Sequence, residues 1–179
     1  MRKVNNKINH PEKKLFFVLV ATAVIFTLSA HEPNLCKDIT GWNLKAGWSV
    51  TKDGTVGKAA VKLVRNVPSV FKVIRLNCTN QLKPGKKYVI RCDVKTDKVI
   101  WRTKETSGLT VGLEFWKGKK NISNVWAADV RGTKDWKTYS KEFTVPADFD
   151  RASLNVFLGR GRTGTAWIRN IGIYEVEKH

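Results

Sequence analysis

After the first forty residues, apolar side chains recur at every second position rather than every third or fourth. Three runs are clean. Over Tyr88–Thr96, Tyr88, Ile90, Cys92 and Val94 alternate with Val89, Arg91, Asp93 and Lys95. Over Leu109–Trp116, Leu109, Val111, Leu113 and Phe115 alternate with Thr110, Gly112, Glu114 and Trp116. Ala152, Leu154, Val156 and Leu158 alternate with Ser153, Asn155 and Phe157. Successive side chains of a strand point to opposite faces, so each run predicts a strand with one face buried. Further strands are predicted over Ala59–Arg65, Val70–Cys78, Ile122–Val130 and Thr165–Val176. Parity is mixed in Val70–Cys78, where Phe71 and Val73 oppose Ile74 and Leu76, and a bulge would reconcile them.

Turn residues punctuate these runs at Asp53-Gly54, Pro84-Gly85, Lys117–Asn121 and Gly159–Gly164. Asp97–Ser107, with Trp101 and Arg102, reads as a polar loop. Gly132–Pro146 reads as a turn at Gly132–Asp135, a strand with Trp136, Tyr139, Phe143 and Val145, and a stop at Pro146. Nothing after residue 30 keeps a helical period. The expectation is an all-β domain, an antiparallel β-sandwich whose large aromatics fill the core.

The amino terminus is of another kind. Arg2, Lys3, Lys7, Lys13 and Lys14 precede a nearly apolar run from Leu15 to Ala30. A basic head before an apolar middle is the pattern of a secretory signal, and the run is shorter than the roughly 20 residues of a spanning helix. The expected organisation is 1–30 as signal peptide or uncleaved membrane anchor, 31–37 as a lead-in, and 38–179 as the sandwich. The protein is then secreted, periplasmic or at the cell surface, and meets a membrane only if residues 15–30 stay attached.

Lys and Arg number 33 against 15 Asp and Glu, a net charge of +18. Removing the five basic residues and one acidic residue of 1–30 leaves 28 against 14. Such a field favours acidic partners: acidic or sulfated polysaccharide, an anionic envelope, or nucleic acid. Cys78 and Cys92 flank the Pro84-Gly85 turn, where a hairpin would set them opposite each other as a disulfide and leave Cys36 over. Both also fall at apolar positions, where buried free thiols are common.

Three groups of residues resemble one family. They are Gly132-Thr133…Asp135-Trp136…Tyr139-Ser140…Phe143…Val145-Pro146, Leu82…Pro84-Gly85-Lys86…Tyr88, and Gly164…Ala166-Trp167…Asn170-Ile171. Together they resemble the carbohydrate-binding modules of the cellulose- and xylan-binding type, often attached to glycoside hydrolases, over roughly Asp38 to Val176. The resemblance implies a galactose-binding-like jelly roll that binds polysaccharide along one sheet face. Trp136 and Trp167 each open a strand inside these motifs and are expected in the core. Relatives often hold structural calcium through an acidic residue in a final-strand Trp-x-Asp pattern. Here that strand reads Trp167-Ile168-Arg169, so a cation occupies the ligand position and no metal is expected there.

The polar side of the three clean strands supplies the candidate site: Arg91, Asp93, Glu114, Trp116, Asn155 and Phe157. Aromatic rings among planar hydrogen-bonding groups suit a sugar, whose apolar face stacks while its hydroxyls pair. Trp116 is expected to stack. Trp101 joins as a rim contact, with Trp126 and Arg102 behind it. Catalysis is poorly served, because His10, His31 and His179 all lie outside the predicted sandwich. A glycosidase would need paired carboxylates, for which only Asp93 and Glu114 come forward. The expected function is a non-catalytic, cofactor-free polysaccharide-binding module. The alternatives are a basic envelope- or nucleic-acid-associated scaffold, with nucleic acid the weaker partner, and a small jelly-roll glycosidase.

Overall fold

The structure, a computed structural model, describes residues 44, 47–52, 59–67, 73–101 and 107–176, without the side chains of Lys52 and Trp101. The segments 1–30 and 31–37, Cys36 and Arg102 lie outside these residues.

Nine strands are described: β1 (Trp48–Lys52), β2 (Ala59–Arg65), β3 (Val73–Asn77), β4 (Lys87–Trp101), β5 (Leu109–Lys117), β6 (Lys120–Val130), β7 (Gly132–Thr144), β8 (Arg151–Leu158) and β9 (Arg162–Glu175). They form a five-stranded sheet in the order β1-β2-β9-β4-β7 and a four-stranded sheet in the order β3-β8-β5-β6. All neighbouring strands run antiparallel. This is a β-sandwich, and the alternation in the sequence decides which side chains fill it.

The inner face of the five-stranded sheet carries Leu63, Tyr88, Ile90, Cys92, Val94, Ile168 and Ile173. Facing them from the four-stranded sheet are Ile74, Leu109, Leu113, Phe115, Leu154 and Val156. Aromatic rings close one region of this core. Tyr88 stacks on Phe143 at 5.9 Å, and Phe115 meets Phe143 at 6.1 Å and the edge of Phe149 at 5.4 Å between centroids. The buried Tyr88 hydroxyl accepts the Lys83 N–H at 3.2 Å, so its polar end is satisfied.

The structure departs from the sequence reading at four places. Asp97–Ser107 does not begin as a loop, because β4 continues through Trp101. It does so across two register shifts against β7, with Lys98 at φ 49°. Gly164 of β9, at φ 130°, lies against this irregularity, and a Cβ there would stand 2.4 Å from the Lys98 carbonyl oxygen. Only glycine permits that approach. The expected turn at Gly132–Asp135 is already part of β7. Third, Trp136 and Trp167 are not core residues; they are half-buried on the outer face of the five-stranded sheet. Lys62 Nζ stands 5.4 Å from the Trp167 ring and the Arg169 guanidinium 4.2 Å from the Trp136 ring. Parity explains Trp167, whose strand neighbours Ala166 and Ile168 take the inner positions, whereas Trp136 lies between the exposed Asp135 and Lys137 on the edge strand β7.

The fourth concerns the cysteines. β3 and β4 belong to different sheets, so no hairpin sets Cys78 against Cys92, and no disulfide joins the two buried thiols. Burial, with the neighbouring Asp93 charge adding to it, pushes the Cys92 thiol from 9.0 up to about 12. Its thiolate is therefore nearly absent at neutral pH. A Cys36→Ser variant is expected to show no thiol reactive toward a disulfide reagent at pH 8 when native, and two in guanidinium. Because the folded pKa lies above the unfolded one, the Cys92 contribution to stability is intact below about pH 9 and is lost as pH rises toward 12. Melting curves across that range check the sign.

Candidate functional site

The outer face of the four-stranded sheet collects aromatic and hydrogen-bonding side chains from all four of its strands. Along β5, Thr110, Gly112, Glu114 and Trp116 point away from the core, a span of about 20 Å. In register, Gly112 lies between Asn155 of β8 and Trp126 of β6, and Asn155 is followed by Arg75 of β3. Glu114 lies between Ser153 and Asn124, and Thr110 between Phe157 and Asp129.

Trp126 is the dominant aromatic surface. A Cβ on Gly112 would fall 2.5 Å from its ring and 2.2 Å from the Val125 carbonyl oxygen. Glycine at this outward strand position is what lets the indole lie across β5. The ring meets Phe157 in a T-shaped contact, 5.9 Å between centroids and 87° between planes. Propped from below and from one side, Trp126 stays 37% exposed. Beside it the polar floor is low: Ser153 and Asn155 point outward yet are only 3% and 1% exposed. Asn155 Oδ1 accepts Arg75 Nε at 3.0 Å, and its Nδ2 donates to Ser153 Oγ at 3.4 Å. Among the described residues the buried Thr110 hydroxyl has no hydrogen-bond partner. Buried polar groups are nearly always paired, so this hydroxyl keeps an unused donor and acceptor on the outward face.

Trp116 lies at the other end of the face. Its Nε1 donates to Glu114 Oε2 at 3.3 Å, and the Arg151 guanidinium sits 4.9 Å over its ring. Asn121 Nδ2 donates to Asn124 Oδ1 alongside.

Of the residues singled out in the sequence, Glu114, Trp116, Asn155 and Phe157 therefore share this face. Arg91 and Asp93 do not. They lie on β4, on the outer face of the opposite sheet, with the hydrophobic core between the two groups. The three clean strands share a polar parity, but parity does not say which sheet a strand joins. Asp93 is moreover engaged locally. It accepts Thr138 Oγ1 at 2.7 Å and Asn170 Nδ2 at 2.6 Å, and it pairs with Arg169 Nε at 3.4 Å. Arg169 thus bridges Asp93 and Trp136. Asp93 and Glu114 cannot act on one glycosidic bond, which needs carboxylates within about 10 Å. The Trp101 side chain lies outside the described residues. Arg75 was not foreseen, because β3 carried no clear parity. Trp126 was placed behind Trp116, although Gly112 inside a clean strand was its signal.

Residues 29–165 match the model of a family described as carbohydrate binding domain. The chain belongs to that family. Among solved structures it is similar to the CBM22-1 xylan-binding domain of Paenibacillus barcinonensis Xyn10C, at 14% identity and a TM-score of 0.58, covering 83% of this chain and 97% of that one. A family 16 carbohydrate binding module is similar at 18% identity and 0.51, covering 76% and 87%. The CBM22-1-GH10 portion of Clostridium thermocellum xylanase 10B, solved with xylohexaose, is similar at 15% identity and 0.52, covering 83% of this chain and 28% of that one. At these identities the likeness speaks for the fold. No curated protein matches the chain.

Proposed function

We propose that this protein is an exported, non-catalytic module that binds polysaccharide on the outer face of its four-stranded sheet. Trp126 carries the reading. An indole laid across a glycine, braced by Phe157 and left accessible offers a flat apolar surface of the size of a sugar ring. Asn155, Glu114, Asn124 and the unpaired Thr110 hydroxyl surround it with groups that answer sugar hydroxyls. The family supports a carbohydrate ligand, and the xylan-binding CBM22 domain of similar fold makes xylan the first polymer to test. Export rests on the basic head and apolar run of residues 1–30. The non-catalytic role rests on the separation of Asp93 from Glu114 onto different sheets.

The test is retention of the purified protein on xylan, cellulose and acidic polysaccharides at about 0.1 M and about 1 M salt. The Debye length shortens from about 10 Å to about 3 Å between these conditions. Selective retention that persists at high salt is the expected result. Equal retention on every polyanion, lost in salt, would replace the sugar site with attraction to the net charge.

A further inference from the structure

Two arginines on the proposed binding face are held in place by neutral groups and are not neutralised. Arg75 donates its Nε to the amide oxygen of Asn155 at 3.0 Å, and Asn155 is itself buried. That bond fixes one edge of the guanidinium and leaves both Nη groups as a fork. The Arg151 guanidinium rests over the Trp116 ring at 4.9 Å. Both side chains belong to exposed residues. Neither has a carboxylate partner among the described residues. The acidic groups of the same face have other partners: Glu114 accepts the neutral Trp116 Nε1–H, and Asp129 takes Arg131 Nη2 and the Gly108 N–H.

An uncompensated charge on a sheet face is ordinary when the side chain is loose. These two are oriented, one by a hydrogen bond to a buried amide and the other by an aromatic ring. An oriented guanidinium offers two parallel N–H donors that match the two oxygens of a carboxylate. Residue 151 precedes residue 155 by four positions on β8, and Arg75 lies directly across from Asn155 on β3. The two forks are therefore about 14 Å apart along the strand direction, one near each aromatic patch.

We propose that Arg75 and Arg151 read carboxylates carried by the bound polysaccharide, so that the preferred ligand is a uronic-acid-bearing chain. This assignment rests on the carbohydrate-binding reading of the same face. It differs from a general preference for polyanions, because the selectivity resides in two named side chains and not in the net charge. Lys137 and Lys141, on β7 of the other sheet, contribute to that charge without touching the face.

The experiment compares a soluble uronic-acid-substituted xylan with the same polymer after chemical reduction of its carboxyl groups, by calorimetric titration of the full chain at fixed ionic strength. The native protein is expected to bind the acidic form about tenfold more tightly, as hydrogen bonds to charged groups allow. Arg75→Gln and Arg151→Gln combined should remove that preference, so that the acidic and the reduced polymer bind equally. Lys137→Gln with Lys141→Gln should leave the preference in place. Arg75→Lys, which retains the charge without the fork, should lose most of the Arg75 share, and it serves as the folding-conservative variant. Equal binding of both polymers by the native protein, still sensitive to Trp126→Ala, would overturn the inference while the proposed function stands. Preference lost in the lysine variant but kept in the arginine variant would also overturn it. So would a sulfated xylan bound as tightly as the carboxylated one. Absence of binding to any of these polymers would bring down the proposed function and this inference with it.

Discussion

Trp126→Ala is expected to lower polysaccharide affinity by about thirtyfold or more, the scale of an aromatic hot spot of about 2 kcal/mol. The loss is large because the ring is preorganised. Gly112 beneath and the perpendicular Phe157 ring fix the indole before any ligand arrives, so little side-chain entropy is lost on binding. Removing it should cost only about 1–2 kcal/mol of stability, chiefly the edge contact with Phe157, since the ring lies outside the core. Unfolding should remain cooperative, with a melting temperature a few degrees lower. Trp136→Ala and Trp167→Ala are the matched controls. Both rings are half-buried under cations on the opposite sheet, so each should leave affinity unchanged within about twofold. Titration of the three variants against one polymer decides the matter. Equal losses in all three would mean that the ligand does not distinguish the faces.

Strand content and inward residues were legible because period two is a local property. Tyr88, Ile90, Cys92 and Val94 are inward in the structure, as are Leu109, Val111, Leu113 and Phe115, and Ala152, Leu154, Val156 and Leu158. Sheet membership was not legible, because it is set by which strands pair, and pairing is non-local. Hence Arg91 and Asp93 were grouped with Glu114 and Trp116, although β4 lies in one sheet and β5 in the other. The same gap misled the cysteines, whose symmetric flanking of Pro84-Gly85 suggested a hairpin where the chain in fact crosses between sheets. Trp136 and Trp167 failed for a different reason. A tryptophan inside a structural motif looks like core, but on β9 the even-odd register gives the inner positions to Ala166 and Ile168, and on the edge strand β7 Trp136 lies between exposed residues, so both indoles cover the outside beside a cation. Trp126 was hidden by a bulge: Val111 pairs with Ala128 while the next residue, Gly112, pairs with Trp126. That extra residue changes the parity of β6 in mid-strand, so counting by twos along it cannot place the ring.

Adjacent residues of β5 should respond to truncation in opposite ways, and the contrast tests the sandwich directly. Phe115 is fully buried and joins Phe143 and Phe149, so Phe115→Ala leaves a cavity where three rings met. Such truncations cost about 3–5 kcal/mol, against a total stability of about 5–15 kcal/mol for a domain. The melting temperature should fall by roughly 10–20 °C. Trp116→Ala, one residue on, removes a larger side chain but from the outer face. It forfeits the Arg151 contact, worth about 0.5–1 kcal/mol at an exposed site, and one hydrogen bond to Glu114. Its melting temperature should drop by only a few degrees, while binding weakens through the loss of ring and oriented arginine together. Thermal unfolding of the pair is sufficient. A large loss for Trp116 with a small one for Phe115 would invert the face assignment of β5, and Glu114, Gly112 and Thr110 would then have to turn inward with it.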